Sequence, residues 1–341
     1  MIEELVVCPG CRSRNGDVIE GRTLALAPAL AGDAVLACEC GRRYPIIDGV
    51  PIVLGDPAAY LRTEIAAVVE RDLPPAVAEL LVESGPDDQP YARLLEHLSI
   101  YLDAHWGDRA APPPESAGFG AAALIERLAR LPRVGRAVEL GCSAGRIVAE
   151  LAATADHVVG IDLQFGAVRR ARRILDGERV AYARRLAGRH YAPAAIFAGD
   201  RAVPAARRTL ICGDVLDPPL IPGHYDRVVA LNMLDSVARP RHLLAVVDGL
   251  CRPGGEVILA SPYSWQSSVM EEAERIGGAD PAADVAAILR TGEGIGGRYE
   301  IEEEADVPWT LRRDARSTVA YRIHYLRARK LLPADRDQEE S

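Results

Sequence analysis

The stretch from Glu139 to Asp162 carries the clearest chemistry in this 341-residue chain. Ala137-Val-Glu-Leu140 is strand-like, Gly141-Cys-Ser-Ala-Gly145 is a run of small turn-forming residues, and Ile147 onward reads as a helix. A helix start leaves backbone N–H groups unpaired and carries a partial positive charge, so it attracts an anionic ligand. Glycines at 141 and 145 let the backbone approach that ligand where a Cβ would intrude. Downstream, Val158-Val-Gly-Ile-Asp162 is a second strand ending on an acid, which suits a carboxylate that holds both hydroxyls of a ribose. Together the two motifs predict a nucleoside-binding α/β half.

A different chemistry is offered near the start. Cys8-Pro-Gly-Cys11 and Cys38-Glu-Cys40 are two short cysteine pairs beside turn-forming residues. Four thiolates in two knuckles are what a tetrahedral structural Zn²⁺ requires. A unit of about fifty residues buries little apolar surface by itself, and a bound metal adds roughly 10–16 kcal/mol in small zinc modules. Two other readings stay open. One is a disulfide pairing, which a reducing compartment disfavours. The other is a ribbon that has lost its metal, because Cys-x-Cys is one residue shorter than the usual knuckle.

The scaffold that must hold these sites is legible in outline. With 49% hydrophobic residues the chain can build one α/β core and a smaller unit. Asp56 to His105 reads as helices broken at Pro74-Pro75 and Gly85-Pro86. Ile65, Val68 and Val69 share one face, and Leu94, Leu95, Leu98 and Leu102 another. Tyr101-Leu-Asp-Ala-His-Trp-Gly107 is rich in rings for this aromatic-poor chain, and reads either as a helix end packed by Trp106 or as a lid over a ligand. Ala110 to Gly118 reads as a linker or crossover, followed by a helix through Leu124, Leu128 and Leu131.

Beyond Asp162, a helix (Ala167 to Leu175) precedes an arginine-rich insertion, Gly177 to Arg208. That insertion reads as a solvated helix face, or as a site for a carboxylate or phosphate if it lies beside the ligand. Three strands follow at regular intervals: Thr209 to Asp214, Tyr225 into Asp235, and Arg252 to Ser261. Ligands of open parallel sheets bind beyond the strands' carboxyl ends, so Gly141, Asp162, Asp214 and Asn232 should converge. Two further β-rich segments begin at Tyr299 and Ser317, and the charged, apolar-poor Leu331 to Ser341 reads as a disordered tail.

Charge narrows the partners. A net charge of −9 argues against nucleic acid, which needs a basic face. Lys330 is the only lysine, so lysine catalysis is excluded from the main domain. No run of about 18 apolar residues suggests a membrane span. The acidic start, Met1-Ile-Glu-Glu, lacks a signal-peptide pattern, and a cytoplasmic protein is expected.

Glu139-x-Gly141-x-x-x-Gly145 differs from the G-x-G-x-x-G of dinucleotide folds. It resembles motif I of the S-adenosylmethionine-dependent methyltransferases, and Arg252-Pro-Gly-Gly255 resembles their turn before the fifth strand. A different doubly wound nucleotide binder is the alternative. The resemblance implies an α/β fold: a Rossmann-like, seven-stranded methyltransferase sheet over residues 119–330, its last strand inserted antiparallel. A zinc ribbon (1–55), a helical connector or lid (56–118) and the tail (331–341) complete it. For the cofactor, S-adenosylmethionine, it implies contacts from Glu139, Gly141, Cys142 and Gly145 near the methionine part. Asp162 and Leu163 would meet the ribose, Gly213, Asp214 and Val215 the adenine, and Asn232 the methyl donor. Arg146 either pairs with the cofactor carboxylate or is an exposed first-turn arginine.

Two finer resemblances follow. Arg43-Tyr-Pro-Ile-Ile-Asp-Gly-Val-Pro-Ile-Val-Leu54, with Cys8, Cys11, Cys38 and Cys40, is similar to the zinc-ribbon proteins that activate tRNA, rRNA and protein methyltransferases. It implies structural Zn²⁺ here, in a ribbon that packs on the enzyme or recognises substrate. Ser261-Pro-Tyr-Ser-Trp265, with Asn232-Met-Leu-Asp235, His105-Trp-Gly107 and Asp306 to Arg316, resembles the carnosine and 4-mercaptohistidine N-methyltransferases. The chain departs from that group at Arg275-Ile-Gly-Gly278, where the group tends to carry Trp-Leu-Gly-Gly.

The resemblance implies N-methylation of a small amine, an imidazole or a peptide-linked natural product. Asp235 would take a hydrogen bond from an imidazole N–H and fix its tautomer, unless it only caps a helix. Tyr263 would orient the substrate or the cofactor from the end of the fifth strand, or be a packed turn aromatic. Two other classes stay open: an RNA or protein methyltransferase that uses the ribbon for recognition, and a non-catalytic binding protein.

Overall fold

The computed structural model describes residues 4–15, 18–20, 24–28, 34–86, 89–114 and 119–332. Residues 333–341 of the expected tail lie outside the described residues.

The N-terminal unit pairs β1 (Ser13–Asn15) with β2 (Val18–Glu20). Beside them is an antiparallel sheet of β3 (Ala25–Pro28), β4 (Ala34–Ala37), β5 (Arg43–Ile47) and β6 (Val50–Pro51), in that order. Asp48-Gly49 joins β5 to β6 with φ of 49° and 71°. Two left-handed residues are what a tight hairpin needs, and Asp-Gly tolerates them. This unit is docked. Leu5, Val6, Leu24 and Leu36 share one buried cluster with Val138, Val159 and Ile211 of the main sheet. Its backbone also extends that sheet's edge, with Val53 N donating to Cys212 O at 2.9 Å.

A helical layer follows: α1 (Pro57–Val69), α2 (Pro75–Glu83) and α3 (Pro90–Trp106). Each has proline in its first turn, where no intrahelical donor is lost. The apolar face expected on α1 is only partly covered, with Val68 buried and Ile65 and Val69 exposed. After α3, β7 (Ala110–Ala111) and α4 (Ala122–Leu128) lead into the main domain.

That domain runs β8 (Val134–Leu140), α5 (Arg146–Thr154), β9 (Ala155–Asp162), α6 (Phe165–Leu175), β10 (Val180–Ala187), β11 (His190–Ile196) and β12 (Arg208–Cys212). It continues with β13 (Tyr225–Leu231), α7 (Pro240–Leu250), β14 (Cys251–Ser261), α8 (Pro281–Thr291), β15 (Tyr299–Arg312) and β16 (Thr318–Lys330). Seven strands form one mixed sheet in the order β12-β9-β8-β13-β14-β16-β15. The first five are parallel, and β16 inserts antiparallel between β14 and β15. Parallel strands covered on both faces read as continuous apolar runs, and Val228, Val229, Ala230, Val257, Ile258 and Leu259 are all buried.

The arginine-rich insertion corrects one expectation. It is not a helix but the antiparallel hairpin β10–β11, with β7 added along β11. Val180, Tyr182 and Arg184 recur at the strand period of two and are buried. The insertion's arginines serve the fold. Arg184 and Arg312 converge on the fully buried Asp103 of α3: the Arg184 Nε donates to Oδ1 at 3.0 Å and the Arg312 Nη1 to Oδ2 at 3.3 Å. The Tyr182 hydroxyl donates to the same carboxylate. Arg185 pairs with Glu96, Arg201 with Glu150 and Arg208 with Asp176, while Arg207 bonds the carbonyls of Ala152 and Ala155.

Asp103 thus ties α3 to the hairpin and to β15. Removing one partner of a buried ion pair leaves the other charge uncompensated, at about 3–5 kcal/mol. Asp103→Ala should therefore lower stability by that amount in urea titrations followed by circular dichroism. A loss below about 1 kcal/mol would mean that the cluster is worth no more than a solvated surface pair.

Candidate active site

The carboxyl ends of the parallel strands open onto a cleft of about 750 Å³. It is lined by Glu139 near the end of β8 with Gly141 and Ser143 beyond it, by Asp162 at the end of β9 with Leu163, and by Asp214 and Val215 after β12. Asn232, Met233 and Asp235 follow β13, so the four residues expected to converge do so. His97, Tyr101 and His105 of α3 and Trp309, Leu311 and Tyr321 of the β15–β16 hairpin complete the lining.

The glycine turn has an unusual backbone. Gly141, Ser143 and Gly145 have φ of 84°, 44° and 77°. A Cβ at Gly141 would overlap the Met233 side chain, and one at Gly145 would lie 2.8 Å from the Ala171 Cβ. Asp162 holds the turn from the next strand: its Oδ2 accepts from Ser143 N at 2.9 Å and its Oδ1 from Gln164 N at 2.9 Å. A carboxylate has about four acceptor sites, so two remain for hydroxyl donors. Burial pushes the Asp162 carboxyl up, and the backbone donors at Gln164 and Ser143 pull it back.

Two buried acceptors face this region without a partner among the described residues, Glu139 Oε2 and Asn232 Oδ1. Burial, and then the Asp162 charge, push the Glu139 carboxyl well above its usual range. A buried polar atom without a partner costs about 1–3 kcal/mol. Both atoms therefore fit donors carried by a ligand, such as an ammonium or an N–H.

Asp235 is buried and belongs to the lining of the cleft. Its Oδ1 accepts from the Ser261 hydroxyl at 3.2 Å and its Oδ2 from Ser264 N at 3.1 Å. It thus bridges the loops after β13 and β14. Burial pushes it up, with those two hydrogen bonds among the opposing effects.

Five of the expected site residues do not line the cleft: Cys142, Gly145, Arg146, Gly213 and Tyr263. The Arg146 guanidinium is buried and engaged, with Nε on Glu150 Oε1 at 2.8 Å and Nη1 on Asp108 Oδ1 at 2.5 Å. It also lies over the rings of Trp106, at 5.0 Å, and Phe119, at 4.8 Å. Tyr263 adopts a φ of 52°, and its hydroxyl shares a 2.9 Å hydrogen bond with His324 Nδ1. His324 Nε2 in turn lies 3.1 Å from Glu304 Oε1. Its geometry suits positioning of the loop that carries Ser264.

His105, His97, Trp309 and Tyr321 were not foreseen individually. Ring density in the 101–107 stretch is the available signal for α3: Trp106 is fully buried, as the packed helix end requires, while Tyr101 and His105 line the cleft. Trp309 falls within the Asp306 to Arg316 resemblance without being singled out there, and nothing local marks Tyr321. They are cross-strand partners whose meeting depends on hairpin register.

In the N-terminal unit the thiols of Cys8, Cys11, Cys38 and Cys40 all lie within 4.8 Å of one another. Cys8 and Cys40 are 3.8 Å apart, Cys11 and Cys38 3.6 Å. Zinc–sulfur bonds of roughly 2.3 Å in a tetrahedron separate the sulfurs by roughly 3.8 Å. The donor set therefore fits a single tetrahedral ion.

Residues 138–259 match the family described as a methyltransferase domain. Among curated proteins, the ubiquinone biosynthesis O-methyltransferase of Aromatoleum aromaticum is 30% identical over 128 residues, 37% of this chain and 43% of that protein. The chain thus matches less than half the length of that relative. Among solved structures, phosphoethanolamine N-methyltransferase 1 of Haemonchus contortus shares 13% identity over 79% of this chain and 52% of that chain, with a TM-score of 0.45. The N-methyltransferase NodS of Bradyrhizobium japonicum shares 14% over 72% of this chain and 99% of that chain, with a TM-score of 0.39. No helix among the described residues is long and apolar enough to cross a membrane.

The His105 imidazole gives this site a pH signature. Burial, and then the neighbouring Arg146 charge, push it down to about 4. The unfolded chain protonates this group near pH 6.5 and the folded one does not, so the unfolded state binds more protons in between. Stability should fall between pH 6.5 and 4 by up to about 3 kcal/mol from this residue. His105→Asn should flatten that part of the profile in thermal melts at pH 7 and pH 5. Identical slopes in wild type and variant would refute the assignment.

Proposed function

We propose that this chain is an S-adenosylmethionine-dependent methyltransferase that methylates nitrogen on a small amine, an imidazole or a peptide-linked natural product. The observation that carries the reading is the convergence of Glu139, Gly141, Asp162, Asp214 and Asn232 on one cleft within the matched methyltransferase domain. When bound, the cofactor supplies a methyl group activated on a sulfonium. Asp162 would hold its ribose hydroxyls, the orphaned Glu139 carboxyl its amino group, and Asp214 with Val215 its adenine. Asn232, whose Oδ1 is unpartnered among the described residues, lines the same cleft.

The protein's own part is alignment and desolvation. Holding two reactants in line contributes roughly 7–11 kcal/mol in well-oriented intramolecular reactions. Asp235 would accept a hydrogen bond from the acceptor's N–H and so present the lone pair on the other nitrogen, or on the other side of the same one. Tyr263 would act through its loop, since its hydroxyl is bonded to His324. An RNA or protein methyltransferase would call for a basic stripe running from the ribbon. Arg184, Arg185, Arg201, Arg207 and Arg208 are instead engaged by carboxylates and carbonyls, which supports the small-molecule reading.

Titration calorimetry with S-adenosylhomocysteine is the direct test. Wild type should bind it, and Asp162→Ala should weaken binding by about tenfold or more, since charge-assisted hydrogen bonds are worth about 1.5–3 kcal/mol each. Undetectable binding to wild type overturns the reading.

The four-cysteine cluster is proposed to hold structural Zn²⁺, supported by its sulfur spacing. Metal analysis should return about one zinc per chain, and Cys11→Ser should lower the melting temperature. Full stability in metal-free protein would rule it out.

A further inference from the structure

Resting on that reading, we propose that the acceptor half of the cleft selects an organic base that bears no carboxylate or phosphate. Asp235 and the rings of Tyr101, Trp309 and Tyr321 would recognise its cationic or N–H face.

Three observations carry this. Asp235 is 4% exposed, both of its oxygens accept hydrogen bonds from neutral donors, and no ion pair is formed with it among the described residues. Acceptance at both oxygens is what the ionised form does. A buried carboxylate without a cation is costly in the free protein and is relieved when a cationic or N–H ligand arrives.

Second, the ring wall is assembled from three places in the sequence. Trp309 and Tyr321 are paired across β15 and β16. His105 meets Trp309 edge-on at 5.9 Å, and Tyr101 lies 6.3 Å from His105. Tyr101 is close enough to Tyr321, Asp235 and Asp162 for all three to push its hydroxyl up after burial does. Ring faces beside a carboxylate attract cations and repel anions.

Third, the cleft offers nothing to neutralise an acid. Among the described residues lining it there is no arginine or lysine, while Asp162, Asp214 and Asp235 belong to its lining, together with Glu139, which burial holds towards its neutral form. Its two imidazoles, His97 and His105, are held towards the neutral form by burial. Arg184, Arg185 and Arg208 of the insertion are in ion pairs elsewhere, and no arginine of the insertion lines the cleft. The cofactor itself is a net cation, with sulfonium and ammonium against one carboxylate, so it is compatible with this acidic lining.

The test uses the full chain with S-adenosylmethionine labelled in its methyl group. The acceptors are a pooled small-molecule library with two matched pairs added, histamine with histidine and phenethylamine with phenylalanine. After reaction the pool is separated on an anion exchanger at about pH 10, where carboxylates are retained and amines without an acidic group pass through. Label should accumulate in the unretained bases, with histamine or phenethylamine preferred over its amino acid by about tenfold or more. Asp235→Asn should cut that transfer about tenfold while S-adenosylhomocysteine binding is kept. Tyr321→Leu, which leaves the carboxylate in place, should raise the acceptor KM with little change in kcat. Label confined to retained acids or to macromolecules overturns the proposal and leaves methyl transfer standing. Unchanged transfer in both variants also overturns it. No label in any fraction, from protein that binds S-adenosylhomocysteine, overturns the transfer reading and this one with it.

Discussion

The rest of the site depends on keeping the Gly141–Gly145 backbone in a shape that chains resist. A left-handed conformation costs an ordinary residue roughly 1–2 kcal/mol, and Ser143 adopts it between two glycines that do so freely. The opposing contribution is the hydrogen bond from Ser143 N to the Asp162 carboxylate. Hydrogen bonds to charged groups are worth about 1.5–3 kcal/mol, enough to offset the strain. The backbone adds its own ties, with Gly141 N on Ile161 O at 2.8 Å and Gly145 N on Cys142 O at 2.8 Å. Asp162 therefore has a structural task before any ligand arrives, and its remaining acceptor sites are aimed by that task.

The turn is held from the other side as well, which is how a helix distant in sequence becomes part of the site. Trp106 Nε1 donates to Ala144 O at 2.8 Å. Arg146 reaches from the first turn of α5 to the His105 carbonyl and to Asp108. The end of α3 and the glycine turn are thus one hydrogen-bonded unit. Three residues earlier than Trp106, Asp103 fixes the same helix to the hairpin and to β15. The position of Tyr101 and His105 over the cleft follows from anchors on both sides of them.

These anchors also mark where sequence reading succeeds. Strands β8, β9, β12, β13 and β14 are legible because buried parallel strands are apolar throughout, a signal contained within a few residues, and β8, β9 and β12 run into a glycine or an acid. Gly141, Asp162 and Asp214 are legible for that reason, and Asn232 from its place directly after β13. Arg146 was misread because its partners, Asp108 and Glu150, compete for it in three dimensions, and a first-turn arginine looks free from sequence alone. The insertion was misread because an arginine count suggests solvent, whereas period-two burial of Val180, Tyr182 and Arg184 is short and is broken up by charge. Trp309 and Tyr321 depend on a thirteen-pair hairpin register that no local pattern sets.

The bias towards arginine gives this arrangement a physical logic. Arginine keeps its charge when buried and forms several directed bonds at once, whereas a buried lysine loses its proton. The chain uses that property in its interior: Arg227 is fully buried, with Nε on Glu256 Oε1 at 2.7 Å and further donors on Thr154 and Pro132. Arg169, Arg170 and Arg173 likewise draw Glu70 and Asp72 at the end of α1 onto α6. Each such clamp spends a guanidinium on holding two elements together, and the sequence already has more acids than bases. Among the described residues lining the cleft there is no arginine or lysine, while Glu139, Asp162, Asp214 and Asp235 belong to its lining. The guanidiniums named above are held in clamps between elements, and none of them reaches the cleft.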